Sequence, residues 1–186
     1  AAGTSAGITG TGGVVSVDGS TNLTASGDIS LTNAGNALDG TVAASGSNVT
    51  LLNATGLTLG AVAATGDLAV TATTGDVSGT STIDVGGGST FALNGTSAAL
   101  SLTNASNKLT GSTGAGSLAI TTSGSLGTVT LTNDAALILP SVVLAGLDVT
   151  ADGVVTQASG GITSSGAVDI TAASNAVTLT DAANDF

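Results

Sequence analysis

Residues 27–46 read GDISLTNAGNALDGTVAASG, and residues 47–66 read SNVTLLNATGLTLGAVAATG. The two stretches lie one over the other without a gap. Each holds short runs, such as Val49-Thr50-Leu51 and Leu57-Thr58-Leu59, in which apolar residues alternate with small or polar ones. That is the two-residue period of a strand with one buried face. Gly, Asn and Asp separate the runs and suit tight turns. A unit of about 20 residues with two or three short strands predicts one coil of a right-handed parallel β-helix. Successive coils then pair in parallel at roughly 4.8 Å, and each is stabilised mainly by its neighbours.

The pattern extends along the chain. A strand-like triplet followed by Thr or Leu, then Asn or Asp, recurs and places Asn33, Asn53, Asn104, Asn133 and Asp181 in equivalent positions. These five are expected at one corner of the coil, satisfying turn backbone groups and stacking into a partial ladder. A longer period overlies the short one. Asn33–Gly40 matches Asn104–Gly111, and Asp181–Phe186 opens a further copy after a slightly longer interval. The chain therefore divides into a partial repeat (1–32), repeats 33–103 and 104–180, and the start of another (181–186), all within a single solenoid segment, 1–186. About nine coils are expected, a rod on the order of 40 Å long.

Composition supports this reading. There are 29 Gly, one Pro, two Phe and no Cys, Met, Trp or Tyr. Charged residues are 7% of the chain, against roughly 25% in ordinary domains. Helix formers such as Glu, Lys and Arg are almost absent, while Gly, Thr, Ser and Val abound, which disfavours helix. A β-sandwich is the rival, but its core, about 10 Å thick, calls for bulkier side chains. With a net charge of −11 the chain has little to offer phosphates, so nucleic acid is not an expected partner. No apolar run approaches the roughly 20 residues of a transmembrane helix, so membrane insertion is not expected either. Residues 1–10 show no basic region and no apolar core of a signal peptide.

The motifs Leu-Thr-Asn-Ala-x-Asn, Leu57-Thr-Leu-Gly60, Gly66-Asp-Leu-Ala-Val-Thr-Ala72 and Ser89-Thr-Phe-Ala-Leu93 resemble the repeats of filamentous-haemagglutinin-like adhesins of Gram-negative bacteria. The terminal DAANDF, residues 181–186, looks like the start of such a unit. The resemblance covers essentially the whole chain. It implies a right-handed β-helix, export by a two-partner or autotransporter-like route, and a cell-surface or released location. It brings no catalytic residues.

The residues themselves offer little chemistry. There is no His, and Lys108 is the only base, so nucleophile-plus-base catalysis has no partner set. Lys108 stands where the preceding copy has Ala37 and reads as a solvated turn residue. The twelve acids are all Asp, mostly beside Gly in turns, and no Arg, Trp or Tyr accompanies them as a sugar platform. No enzyme is expected. No cofactor is expected; calcium, for which Asp181 and Asp185 are the nearest candidates in sequence, is the one cation left open. The leading expectation is a stalk or shaft segment of an extracellular bacterial adhesin or surface filament. Its partners would be other copies end to end, neighbouring repeats of a longer chain, and a host or matrix ligand. The alternative is a carbohydrate- or ice-binding module using one flat Thr/Asn face, and a carbohydrate-active enzyme is a distant third.

Overall fold

The computed structural model describes residues 6–10, 12–111 and 116–186. Residues 1–5 and 11 of the partial repeat and 112–115 of repeat 104–180 lie outside the described residues. Every strand pair is parallel, and no helix occurs among the described residues. The chain winds as a β-solenoid of about eight turns. The expected nine falls to eight because one coil is much longer than the rest.

Three sides can be followed up the stack. The first is a six-stranded sheet formed by Ile8–Thr9, Ile29–Leu31, Val49–Asn53, Leu68–Ala72, Ser89–Leu93 and Leu118–Thr121. The second runs through Leu57, Val77, Leu100, Val129, Leu147 and Val168, each in register with the next. The third runs through Leu23, Ala44, Val62 and Ile83. It continues by way of Lys108, which bridges to Asp84, and then the paired strands Leu137–Leu139 and Val155–Gln157. Single long strands such as Leu57–Ala64 cross from the second side to the third.

Coil length follows from the register. Ile8 pairs with Ile29, Ile29 with Val49, Val49 with Leu68 and Leu68 with Ser89, so these coils hold close to the length read from the sequence. The next step, Ser89 to Leu118, is far longer, and the step from Val129 to Leu147 is shorter than any of these. The chain turns tightly at Gly160 and Gly161, with φ of +111° and +75°. A Cβ on Gly161 would also stand 2.6 Å from the carbonyl oxygen of Ala183 in the coil above, so glycine is required there on both counts.

The alternation seen in sequence becomes columns of side chains. Val49, Leu68, Leu51, Val70 and Phe91 point inward and are buried, while Thr50, Ala69 and Thr90 stack on the outside. Small aliphatics fill the narrow core, and Phe91 is its one aromatic side chain. A single position breaks the apolar column. Ser89 sits between Leu68 and Leu118, 1% exposed, with its hydroxyl unpartnered.

Two substitutions test this packing. Phe91→Ala should cost about 3–5 kcal/mol in urea unfolding, the usual range for emptying a buried aromatic site. Ser89→Ala should raise stability by about 1 kcal/mol, because it removes a buried hydroxyl that makes no bond.

Candidate functional site

The polar groups that repeat most regularly lie at the corners, where they hold one coil to the next. The five positions singled out in sequence divide into two roles. Asn33, Asn104 and Asp181 shape the turn that follows them. Their side-chain oxygens accept from the N–H groups of Gly35, Ser106 and Ala183, each at 2.9 Å. Their own carbonyls accept from the N–H of the residue three further on, at 3.1–3.2 Å. This is an Asx turn inside a backbone turn.

Asn53 and Asn133 are buried and act between coils. The Oδ1 of Asn53 accepts from the N–H of Leu38 at 2.9 Å, and its Nδ2 donates to the carbonyl of Gly56 at 2.8 Å. Asn133 repeats the arrangement one repeat later. Its Oδ1 accepts from the N–H of Leu109 at 2.8 Å, and its Nδ2 donates to the carbonyl of Ala135 at 3.1 Å. Each fastens one buried leucine in the coil beneath it.

Three further clips escaped the sequence reading: Asn36, Asn107 and Asn184. Each ends the turn begun by Asn33, Asn104 or Asp181, and each accepts a backbone N–H from the preceding coil at 2.9 Å. The donors are Val15, Ile83 and Ile162. The signal was present in the second Asn of the Asn-Ala-x-Asn motif. Asn36 also donates to the carbonyl of Leu52, whereas the Nδ2 of Asn107 is buried without a partner.

The five positions do not share one corner. Asn33 leads from the first side to the second, and Leu38 lies under the next coil's Asn53. Asn104 leads from the second side to the third, where Lys108 bridges to Asp84. Asp181 leads off the third side, and Asp185 bridges to Thr163. From Asn33 to Asn104 the second side is crossed at Leu57, Val77 and Leu100, which is three coils plus one corner. The third side does the same between Lys108 and Asp181, although that copy is longer. The repeat is not a whole number of coils, so each copy is turned by one side relative to the last.

A second, exposed ladder runs up the corner before the first side. Asp28 accepts from the N–H of Asn48 at 3.0 Å, Asn48 from that of Asp67 at 3.0 Å, and Asp67 from that of Gly88 at 2.9 Å. The neutral Asn48 separates two carboxylates that would otherwise stack directly and repel. Asp148 and Asp169 face each other on adjacent strands of the second side, and no group of three metal-ligating side chains occurs among the described residues. Asp181 is committed to backbone groups: besides Ala183 it accepts from the N–H of Gly160 at 2.9 Å. The hydrogen bond from Ala183, followed by that from Gly160, holds its pKa below the ordinary 3.8. The corners as a whole do the chemistry of backbone satisfaction.

The two roles predict different losses. Asn53→Ala strands the buried N–H of Leu38 and should cost about 2–3 kcal/mol, whereas Asn33→Ala loses one exposed turn bond and should cost about 1 kcal/mol or less. Denaturant unfolding of both variants checks the order. Because the native pKa of Asp181 is depressed, its contribution is present above the ordinary Asp value and is lost as pH falls through the depressed one. Amide exchange at Gly160 and Ala183 should therefore accelerate on acidification below pH 3.8, and Asp181→Asn should remove that pH dependence.

The family model described as Repeats of unknown function (DUF5649) matches residues 1–45, 46–116 and 126–186. Neither a curated protein nor a solved structure matched the chain. The middle copy, 46–116, is as long as the interval that separates Asn33 from Asn104. With three copies covering nearly all of its length, the chain belongs to this family of repeats.

Proposed function

We propose that this solenoid is a structural shaft segment of a large extracellular bacterial adhesin or surface filament, supplying reach and rigidity without catalysis. The observation that carries the reading is the fate of one motif position. Leu38 and Leu109 hold the same place in successive copies, and each is buried beneath the Asn-bearing turn of the next coil, so each copy adds its coils along the same stack. A fold stabilised by nearest-neighbour contacts extends in this way without redesign.

The residue types agree. Without His or Arg and with one Lys, the surface has few means of polarising a bond, and its carboxylates serve turns and solubility. The resemblance of the Asn-Ala-x-Asn and Leu-Thr-Leu motifs to haemagglutinin-like adhesin repeats supplies the adhesin part of the proposal, together with the surface location.

Small-angle scattering tests it. The chain should behave as a short rod of about 40 Å, and a tandem second copy of residues 33–180 should lengthen it by about 30 Å without enlarging its mean cross-section. A cross-section that grows with the added copy would show the repeats packing side by side and would overturn the shaft reading.

A further inference from the structure

The first side of the solenoid stops before the other two. Its last strand is Leu118–Thr121, which pairs on one edge with Ser89–Leu93. Among the described residues no strand pairs with its other edge. The second side meanwhile continues through Leu147 and Val168. The cause lies in the short coil between Val129 and Leu147. In the coil below, the first-side strand Leu118–Thr121 precedes the second-side strand Ser125–Asn133. Above it, the strands Leu137–Leu139 and Val142–Ala151 are joined by Pro140 and Ser141 alone. Two residues stand where a strand and two corners would be needed, and one of them is a proline with no N–H to offer.

The groups left over can be named from the register. Going up the first side, Ile8, Ile29, Val49, Leu68 and Ser89 each donate their N–H to a carbonyl of the next coil, at 2.8–3.0 Å. Leu118 is next in that column and Ile120 follows two residues on. Their N–H and C=O groups point the same way, toward a coil that has no strand there. Exposure rises correspondingly: Leu118 and Ile120 are 5% and 6% exposed, against 1% or less for Leu68, Val70 and Phe91. Backbone groups near a core are seldom left without partners. Beside the far end of this strand lies a groove whose lining includes Thr122, Leu126, Val143 and Leu144, and Val143 in it is 69% exposed. The strand also falls in the interval between the second and third copies matched by the family model, which end at 116 and resume at 126.

We propose that the edge of Leu118–Thr121 is a strand-addition site, taking an extended segment of a partner polypeptide parallel to it as the missing seventh strand of the first side. Two N–H and two C=O groups at a two-residue spacing match an extended backbone and little else. The partner segment needs small or apolar residues at alternate positions, as in this chain's own first-side strands, and no proline facing the edge. Its apolar residues would cover the inner rim around Leu118 and Ile120, and its far end would reach Val143. The site is independent of the shaft reading, since it depends only on the short coil.

Amide exchange by NMR tests it in two steps. In the free chain Leu118 and Ile120 should exchange at least about 100-fold faster than Leu68 and Val70, their paired counterparts. Equal protection would mean that the edge is already covered and would overturn the proposal. The probe is an acetylated, amidated peptide of residues 67–74, a first-side strand of this chain. At about 2 mM, suited to a weak single-strand contact, it should slow exchange at Leu118 and Ile120 about tenfold or more and leave Leu68 unchanged. A second variant, in which residues 86–95 replace Pro140-Ser141, supplies the strand in cis. It should protect both amides and abolish the peptide effect. A peptide that changes nothing in the parent chain, or acts equally on the filled variant, overturns the docking.

Discussion

Everything in this molecule depends on the backbone of one coil meeting the backbone of the next. The core is thin, built from Val, Leu, Ile and Ala, and no side chain spans it as the large residues of a sandwich would. What fixes each coil is the parallel ladder, in which an inward residue sends both its N–H and its C=O to the following turn. The corners would break that ladder, because there the chain curves and its amides no longer face a partner. Asparagine restores the connection: Asn36, Asn53, Asn107, Asn133 and Asn184 carry the ladder around the bends by substituting a side-chain carbonyl for a backbone one. Asn36, Asn53, Asn107 and Asn133 are therefore buried for electrostatic reasons, and the apolar columns beside them are held in register by the same bonds.

Such a scheme tolerates variation in coil length as long as the ladder is kept. The longest coil keeps its first-side strand in register with the strand below and takes its extra residues before that strand. The shortest coil is a different kind of change. It preserves the second and third sides and sacrifices the first, so the cross-section of the rod changes partway along. A solenoid whose stability is local can carry that defect, since the coils below it do not sense the missing strand two levels away.

How much of this could be read from the chain depended on which signal carried it. The alternation in Val49-Thr50-Leu51 and the gapless match of 27–46 with 47–66 were sufficient for a stacked β-coil. Strand alternation and coil length both show directly in residue order. The Asn positions were visible as a recurring pattern, but their roles were not. Asn33 and Asn53 follow similar triplets, yet one is a half-buried turn former and the other a buried clip. The difference lies in what the neighbouring coil places against them. Asn36 was missed because its partner, Val15, is a backbone group in the preceding coil with no mark in the sequence. The single corner expected for all five gave way to three, because each long repeat amounts to three coils and one side. The end of the first side at Thr121 was equally hidden: Pro140 is a visible punctuation mark, but only the register reveals that a strand is missing beside it.

The offset between repeat and coil sets how any feature carried once per repeat is distributed. Three coils and one side advance such a feature by about 16 Å along the axis, at roughly 4.8 Å per coil, and by a third of a circuit around it. Successive copies form a steep screw, and a feature regains its original heading only after three repeats, roughly 48 Å on. Adjacent equivalent positions thus face different directions, one side apart. A flat or rigid partner can engage one of them, or every third one, while a flexible partner could follow the screw and gain from several at once.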